Sequence, residues 1–208
     1  MNRLLLLSLL AISACDWTDD RPIVWERDRE ILGPIQLKNQ IAYIDSALDR
    51  VTLLDLALDT PRIETARIGR NAMHAMPSFD RHKLFVITRG EEAIVRGQID
   101  QPPMLWALDT EAQDAEPIAY DIGSPFDRLA ISPDNTIAVA YFSASGPDAM
   151  GFFRNPNEIA VVDLTRPPGD GNPTLKTIRS FGSVPEGVTL SPPMTIPGTL
   201  EARTFAYI

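Results

Sequence analysis

Val51-Thr-Leu-Leu-Asp55 decides the fold, because the chain repeats it at a fixed interval. The later copies are Met104-Leu-Trp-Ala-Leu-Asp109 and Ile159-Ala-Val-Val-Asp163, so the closing aspartates recur every 54 residues. Each copy is a short apolar run that ends in a carboxylate. Self-similarity at such a period is typical of stacked supersecondary units, and it argues against a single compact active-site fold.

Short apolar or alternating runs, separated by turn residues, continue from about Ile31 to the end of the chain. This pattern predicts an all-β fold of many short strands, and no stretch has a sustained helical period. The predicted strands are 41–45, 51–56, 62–68, 72–78, 83–88, 104–110, 116–122, 128–132, 136–141, 158–164, 175–181, 187–191 and 203–208. The segments 166–173 and 192–199 are rich in proline and glycine, which predicts irregular connections there.

Several residues recur in the turns between these strands. Gly69 and Gly123 follow predicted outer strands, where a glycine suits a turn with unusual backbone angles. Ser78-Phe-Asp80 and Ser132-Pro-Asp134 are hairpin turns, in which the serine and aspartate side chains bond nearby backbone groups. We expect Asp55, Asp109 and Asp163 to cap turns in the same way. The alternative, a metal or acid–base site, would need carboxylates on rotated copies to converge on one substrate.

The recurring residues resemble the YVTN-type β-propeller repeat of bacterial surface proteins. They are Gly69, Ser78, Asp80, Leu84-Phe-Val86 and, one round later, Gly123, Ser132-Pro-Asp134 and Ile137-Ala-Val139. The resemblance covers about residues 31–208 and implies a β-propeller of four-stranded blades. In that repeat the motif residues build blades and do not form sites.

The number of repeats is small for a closed ring. A propeller closes with ~4–8 blades, whereas residues 31–208 supply about three repeats and end at Tyr207-Ile208 within a strand pattern. We therefore expect a truncated propeller that is the N-terminal part of a longer protein. The alternatives are closure by self-association and an inert gene fragment.

The N-terminus has the pattern of an export signal. Residues 1–14 combine a basic start at Arg3 with an apolar stretch that is too short to span a bilayer. Ile12-Ser-Ala-Cys15 resembles the lipobox of bacterial lipoproteins, which implies cleavage before Cys15 and lipid attachment to it. An ordinary signal peptide that leaves Cys15 as a free thiol is the alternative. Residues 15–30 are polar and predict a tether, so the propeller domain is 31–208.

Charge and cysteine content restrict the partners. The net charge is −9 at pH 7, and loss of residues 1–14 with Arg3 makes it one unit more negative. An acidic surface repels phosphate backbones, so we expect no nucleic-acid partner. Cys15 is the only cysteine, so the exported domain has no internal disulfide. We expect a cell-envelope protein held at a membrane by lipid, and the sequence leaves open whether that membrane is the inner or the outer one.

Two long connections mark a candidate binding face. The segments 89–103 and 143–157 replace the short loop 46–50 of the first round. If each blade is a four-stranded meander, both join second and third strands and emerge on one face of neighbouring blades, where insertions often bind partners. The candidate contact residues are Glu91, Glu92, Phe152, Phe153 and Arg154. The alternative is that these loops are solvated decorations.

Residues with catalytic chemistry are few. His74 lies in an alternating run that we expect to form an inner strand near the central channel, and His82 lies in a turn. Neither has metal-ligand spacing, and the sequence has no phosphate loop or nucleophile elbow. The sequence therefore predicts no catalytic, cofactor or metal residues.

The function that follows is a lipid-anchored envelope propeller that binds or scaffolds a partner, either an envelope protein or a polysaccharide. The alternative is an exported propeller enzyme, lactonase-like or similar to cofactor-dependent dehydrogenases, with site residues in further blades. A cluster of His, Glu or Arg from several blades around the axis would favour the enzyme.

Overall fold

A computed structural model describes most of the chain after residue 29. The described ranges are 30–56, 60–91, 101–112, 116–143, 157–169, 175–178, 184–198 and 201–208. Within them every regular element is a β-strand, and none is a helix that could cross a membrane. Cys15, the signal segment and nearly all of the tether lie outside these ranges. The backbone carbonyl of Glu30, at the end of the tether, accepts hydrogen bonds from the Ser46 backbone N–H and hydroxyl.

Twelve of the described strands form three four-stranded antiparallel sheets, each a simple meander in chain order. Blade 1 contains β1 (Ile31–Gln36), β2 (Gln40–Asp45), β3 (Arg50–Asp55) and β4 (Arg62–Arg67). Blade 2 contains β5 (Ala72–Pro77), β6 (Lys83–Thr88), β7 (Met104–Asp109) and β8 (Ile118–Asp121). Blade 3 contains β9 (Arg128–Ile131), β10 (Ile137–Tyr141), β11 (Ile159–Asp163) and β12 (Leu175–Ile178).

The first strands of successive sheets are neighbours around a common axis. β1 contacts β5, β5 contacts β9, and β9 contacts β13 (Thr189–Leu190). Sheets that meet through their first strands and extend outward through their fourth are the blades of a β-propeller. The predicted all-β propeller of four-stranded blades is therefore confirmed.

Blade 2 buries both faces, because blade 1 covers one side and blade 3 covers the other. In β6, Leu84 and Val86 pack into a core shared with blade 1, whereas Phe85 and Ile87 pack into a core shared with blade 3. All four side chains are buried. This explains why β6 is a continuous apolar run and not an alternating one, since strands covered on both faces lose the polar positions.

The last described strands begin a fourth blade. β13 pairs antiparallel with β16 (Ala206–Tyr207), in the arrangement of a first and a second strand. The segment between them was expected to be irregular, but it contains a hairpin of β14 (Met194–Thr195) and β15 (Ala202–Arg203). The expectation for 192–199 was wrong at Met194–Thr195, because prolines on either side leave a two-residue run whose backbone can still pair.

The serine turns between first and second strands form as predicted. The Ser78 hydroxyl accepts the Lys83 N–H at 2.9 Å and donates to Asp80 Oδ1 at 2.5 Å. The Ser132 hydroxyl accepts the Ile137 N–H at 2.9 Å. In blade 4 the Ser191 hydroxyl accepts the Phe205 N–H at 2.9 Å, although the β14–β15 hairpin now separates the two residues.

The two motif glycines have different physical reasons. Gly123 has φ of +74°, the left-handed conformation that glycine adopts without strain. Gly69 does not, so the expected backbone reason was wrong there. A Cβ at Gly69 would lie 2.7 Å from Thr88 Oγ1 and 3.0 Å from Trp106 Nε1, and that indole N–H donates to the same hydroxyl. Close packing on the Trp106–Thr88 pair is what requires glycine at this position.

Candidate functional site

The long connections leave the sheets at one common face. Loop 89–103 joins β6 to β7 and loop 142–158 joins β10 to β11, whereas blade 1 uses the short turn 46–49 at the same place. We call this end of the blades the loop face. The opposite end, which carries turns 78–82 and 132–136, is the turn face. The prediction that both long loops join second and third strands of neighbouring blades agrees with the strand order.

The base of loop 89–103 is held by hydrogen bonds and ion pairs. Glu91 and Gln101 exchange two backbone hydrogen bonds of 2.9 Å, which closes the loop at its root. The Glu91 carboxylate forms an ion pair with Arg70, whose Nε also lies 3.6 Å from Asp49 Oδ2. The Glu91 side chain thus links its loop to the connection between blades 1 and 2. Of the other candidate contact residues, Glu92, Phe152, Phe153 and Arg154 lie outside the described residues.

The base of loop 142–158 is held by a buried carboxylate. Asp127, just before β9, accepts hydrogen bonds from the Ser143 N–H at 2.7 Å and the Ser143 hydroxyl at 3.1 Å. At the far end of the loop, Glu158 Oε2 accepts a hydrogen bond from the Ser124 hydroxyl at 3.1 Å. Both roots are therefore tied to the connection between blades 2 and 3.

His74 and Arg128 occupy the same position in successive inner strands. They are 54 residues apart, the interval of the repeat. His74 pairs with Ile87 and Arg128 pairs with Tyr141, the positions that precede the two long loops in the same register. Both residues are half-buried. His74 lies on the inner strand, as predicted, and Arg128 from the next blade joins it at the inner edge of the loop face.

Blades 1 and 4 have no polar side chain at the position that His74 and Arg128 occupy in blades 2 and 3. Leu32 stands there in β1, as its pairing with Ile44 shows. Gly187 stands there in blade 4, four residues before Ser191, as Arg128 stands before Ser132. The pair of His74 and Arg128 is thus a local departure from the repeat and not a motif of every blade.

The electrostatics of the pair are set by burial and by charge. Burial and the positive charge of Arg128 lower the pKa of His74, and the negative charge of Asp127 opposes them. His74 is therefore neutral at pH 7. Arg128 Nη1 donates to the Asp127 carbonyl at 2.8 Å, and among the described residues no carboxylate forms an ion pair with this guanidinium. Arg128 thus has N–H donors that no described residue uses.

His82 lies on the turn face, in a different setting. Its Nδ1 is 2.6 Å from Glu111 Oε1, an ion-pair distance whose angle does not suit a hydrogen bond, and its Nε2 is 3.2 Å from Lys38 Nζ. Lys38 is also 3.4 Å from Glu111. These contacts join blade 1 to blade 2, so His82 has a connecting role on this face.

The regularly spaced aspartates cap turns where their contacts are seen. Asp109 Oδ1 accepts the Glu111 N–H at 2.9 Å, and Asp163 Oδ1 accepts both the N–H and the hydroxyl of Thr165. Asp55 ends β3 at the equivalent place. Nowhere in the described ranges do three or more His, Cys, Asp or Glu residues gather as metal ligands would.

A cleft of about 700 Å³ lies elsewhere, between the outer parts of blades 1 and 2. Its walls include Leu53, Arg62, Glu64, Arg67, Trp106 and Leu108. Arg62 and Glu64 form an ion pair of 2.8 Å across its rim. The cleft has the size of a small-molecule pocket but lies on the outer rim of the propeller, away from the inner edge of the loop face.

His74 was singled out from the sequence, whereas Arg128 was not. The signal was present, since 54 residues separate the two, but the interval was applied to the closing aspartates and the turn residues and not to Arg128. Applying the same interval to every ionisable residue would have found the pair.

Two solved structures are similar to this chain. Kuenenia stuttgartiensis hydrazine synthase is 15% identical over 81% of this chain and 42% of that chain, with a TM-score of 0.49. The β-propeller domain of the Trilobed protease from Pyrococcus furiosus is 14% identical over 87% of this chain and 54% of that chain, with a TM-score of 0.42. The chain thus spans about half the length of these structures. No protein-family model and no curated protein matches the sequence.

Proposed function

We propose that this protein is a lipid-anchored β-propeller of the bacterial cell envelope that binds or scaffolds a partner through its loop face. The partner is an envelope protein or a polysaccharide. Cys15 carries the lipid, residues 15–30 form the tether, and the propeller presents loops 89–103 and 142–158 to the partner.

The observation that carries this proposal is the common exit of both long loops on neighbouring blades. Binding residues are concentrated on loops that a rigid scaffold positions. The roots of both loops are fixed to inter-blade connections by Glu91–Arg70 and Asp127–Ser143, so the scaffold holds them in a defined relation. On the turn face, by contrast, blades 2 and 3 repeat the same short turn, at 78–82 and at 132–136.

Site-specific photocrosslinking in intact cells tests the binding role. A photoreactive amino acid at Glu92 or Phe153 should give a discrete adduct with an envelope component. The same amino acid at Phe79, which is 80% exposed on the turn face, is the matched control and should give none. Adducts from Phe79 alone, or none from either loop, would contradict the proposal.

The anchor is tested separately, through Cys15. Radiolabelled palmitate should enter the wild-type protein and be absent from Cys15→Ser, which should also leave the membrane fraction. Unchanged labelling of the variant would disprove lipid attachment at this residue. Separating inner from outer membranes in the same experiment assigns the membrane.

An exported propeller enzyme is the second candidate, and the pairing of His74 with Arg128 favours it. The two residues occupy the same position in the inner strands of neighbouring blades, where propeller enzymes of the lactonase-like or dehydrogenase-like kind would place a site. Lactonase assays and cofactor spectra on the full-length gene product test this. Bound haem, quinone or metal, or turnover that His74→Ala abolishes, would favour the enzyme over the binding module.

A further inference from the structure

We propose that His74 and Arg128 form a binding site for a carboxylate group at the inner edge of the loop face. This inference deepens the proposed binding role, because it names the ligand chemistry of the face that carries the loops.

The first argument is the unsatisfied guanidinium of Arg128. Arginine is rarely buried without a partner, and the planar group of Arg128 has five N–H donors. Its hydrogen bond to the Asp127 carbonyl uses one of them. The two oxygens of the Asp127 carboxylate accept the N–H and the hydroxyl of Ser143, and Asp127 forms no ion pair with Arg128. The remaining donors match the two oxygens of a carboxylate, which arginine binds in a bidentate manner.

The second argument is the position of His74. A neutral imidazole next to a guanidinium adds one more N–H donor without adding repulsion. Once a carboxylate binds, its negative charge offsets that of Arg128 and stabilises the imidazolium, so the pKa of His74 rises. The charged groups that act on His74 are Arg128 and Asp127, which both lie at the start of the neighbouring blade. The pair would thus respond electrostatically to its own ligand.

The third argument is the overall charge of the protein. The net charge is −9, so the general surface field repels anions. Arg128 forms no ion pair with any carboxylate of the described residues, so its positive charge is a local feature of the inner strands. Leu32 and Gly187, which occupy this position in blades 1 and 4, compete for no carboxylate oxygen.

Nuclear magnetic resonance of the histidine rings tests this directly. The chain has only two histidines, so His82 on the turn face is an internal reference. Acetate, titrated into the full chain against chloride at constant ionic strength, should shift the His74 ring signals to saturation and leave those of His82 unchanged. With acetate bound, the pKa of His74 should be higher than in chloride.

Matched variants assign the effect to Arg128. Arg128→Gln should weaken acetate binding at least about tenfold, since it removes charge-assisted hydrogen bonds. It should also raise the pKa of His74 in the absence of acetate, because it removes a nearby positive charge. Arg128→Lys keeps the positive charge but loses the planar group that binds a carboxylate in a bidentate manner. Its acetate affinity should therefore lie between those of the wild type and Arg128→Gln. Arg166→Gln, on the turn face, should behave as the wild type, and unchanged His82 signals report that each variant is folded.

Three results would overturn the site: no saturable shift at His74, an equal shift in chloride, or an unchanged response in Arg128→Gln. These outcomes are distinct from failure of the proposed function. Loop-dependent photocrosslinking without acetate binding would keep the binding module and reject the carboxylate site. Acetate binding without any loop adduct would do the reverse.

Discussion

The two ends of the blades differ in how closely they follow the repeat. On the turn face, Ser78 and Ser132 make the same hydrogen bonds, and Asn135 of blade 3 donates to Asp80 of blade 2 at 2.9 Å. On the loop face, equivalent positions hold a leucine, a histidine, an arginine and a glycine, and the loops differ greatly in length. On the turn face these polar side chains bond the backbone and one another. On the loop face, Arg128 and His74 have hydrogen-bond donors that no described residue uses. Departure from the repeat is therefore the better guide to function.

The largest effect is expected at the buried root of loop 142–158. Asp127→Ala should lower the free energy of unfolding by about 3 kcal/mol, because it leaves the buried N–H and hydroxyl of Ser143 without their charged acceptor. Chemical denaturation measures this. Asp121→Ala in the same connection is the control, since Asp121 is exposed and bonds the Gly123 N–H, and it should cost below about 1 kcal/mol. Equal losses of unfolding free energy in the two variants would mean that the Asp127–Ser143 contacts stabilise the fold no more than the Asp121–Gly123 contact does.

An effect of intermediate size is expected for serine substitutions, and the loss of stability should be larger on the turn face than on the loop face. Ser132→Ala should lower the free energy of unfolding by about 2 kcal/mol, because its fully buried hydroxyl accepts the N–H groups of Thr136 and Ile137. Ser124→Ala on the loop face removes one bond to Glu158 and should cost less than about 1 kcal/mol. If thermal and chemical unfolding ranked them in the reverse order, the repeated turns would not be the structural end of the blade.

The smallest effect concerns acid stability on the turn face. The hydrogen bond that the Thr165 hydroxyl donates to the Asp163 carboxylate lowers the pKa of Asp163 below its ordinary value of 3.8. A lowered carboxyl pKa adds stability above pH 3.8, and this is lost as the pH falls through the folded-state pKa. Thr165→Ala should therefore cost stability at pH 7 and nothing near pH 2. Because Asp163 is 38% exposed, solvent screening keeps the cost below about 1 kcal/mol.

Denaturation curves of Thr165→Ala at the two pH values give that difference. The same substitution in an Asp163→Asn background should have no pH-dependent effect. A cost that persists at pH 2 would assign it to the threonine itself and not to the carboxylate.

Strands with a clear hydrophobic period could be predicted from the sequence. A strand whose backbone is altered by a glycine and a proline could not. Lys83–Thr88 was predicted to the residue, since a continuous β-branched and aromatic run has one interpretation between two turns. β1 was not predicted, because Gly33-Pro34 interrupts it. Gly33 has φ of +127°, and the strand register shifts between Leu32 and Ile35. A bulge of this kind hides a strand from any rule based on alternation.

The candidate site was predicted only in part, for a similar reason. The loop face followed from strand order, which the repeat determines. The pairing of His74 with Arg128 needs the register of two neighbouring blades, and short-range periodicity does not supply it. The expectation for Gly69 failed because its reason lies in Trp106, a residue of blade 2 that is distant in sequence, and not in its own backbone angles.

The burial of β6 on both faces has a consequence for how the protein unfolds. Leu84 and Val86 belong to the core shared with blade 1, and Phe85 and Ile87 belong to the core shared with blade 3. Blade 2 therefore has no core that its own residues form alone. Its stability is a sum of two interface contributions, as in a one-dimensional array with nearest-neighbour coupling. Loosening blade 1 or blade 3 therefore removes about half of what holds blade 2. We expect local opening to spread from blade to blade in sequence, with blade 2 the last to lose amide-exchange protection.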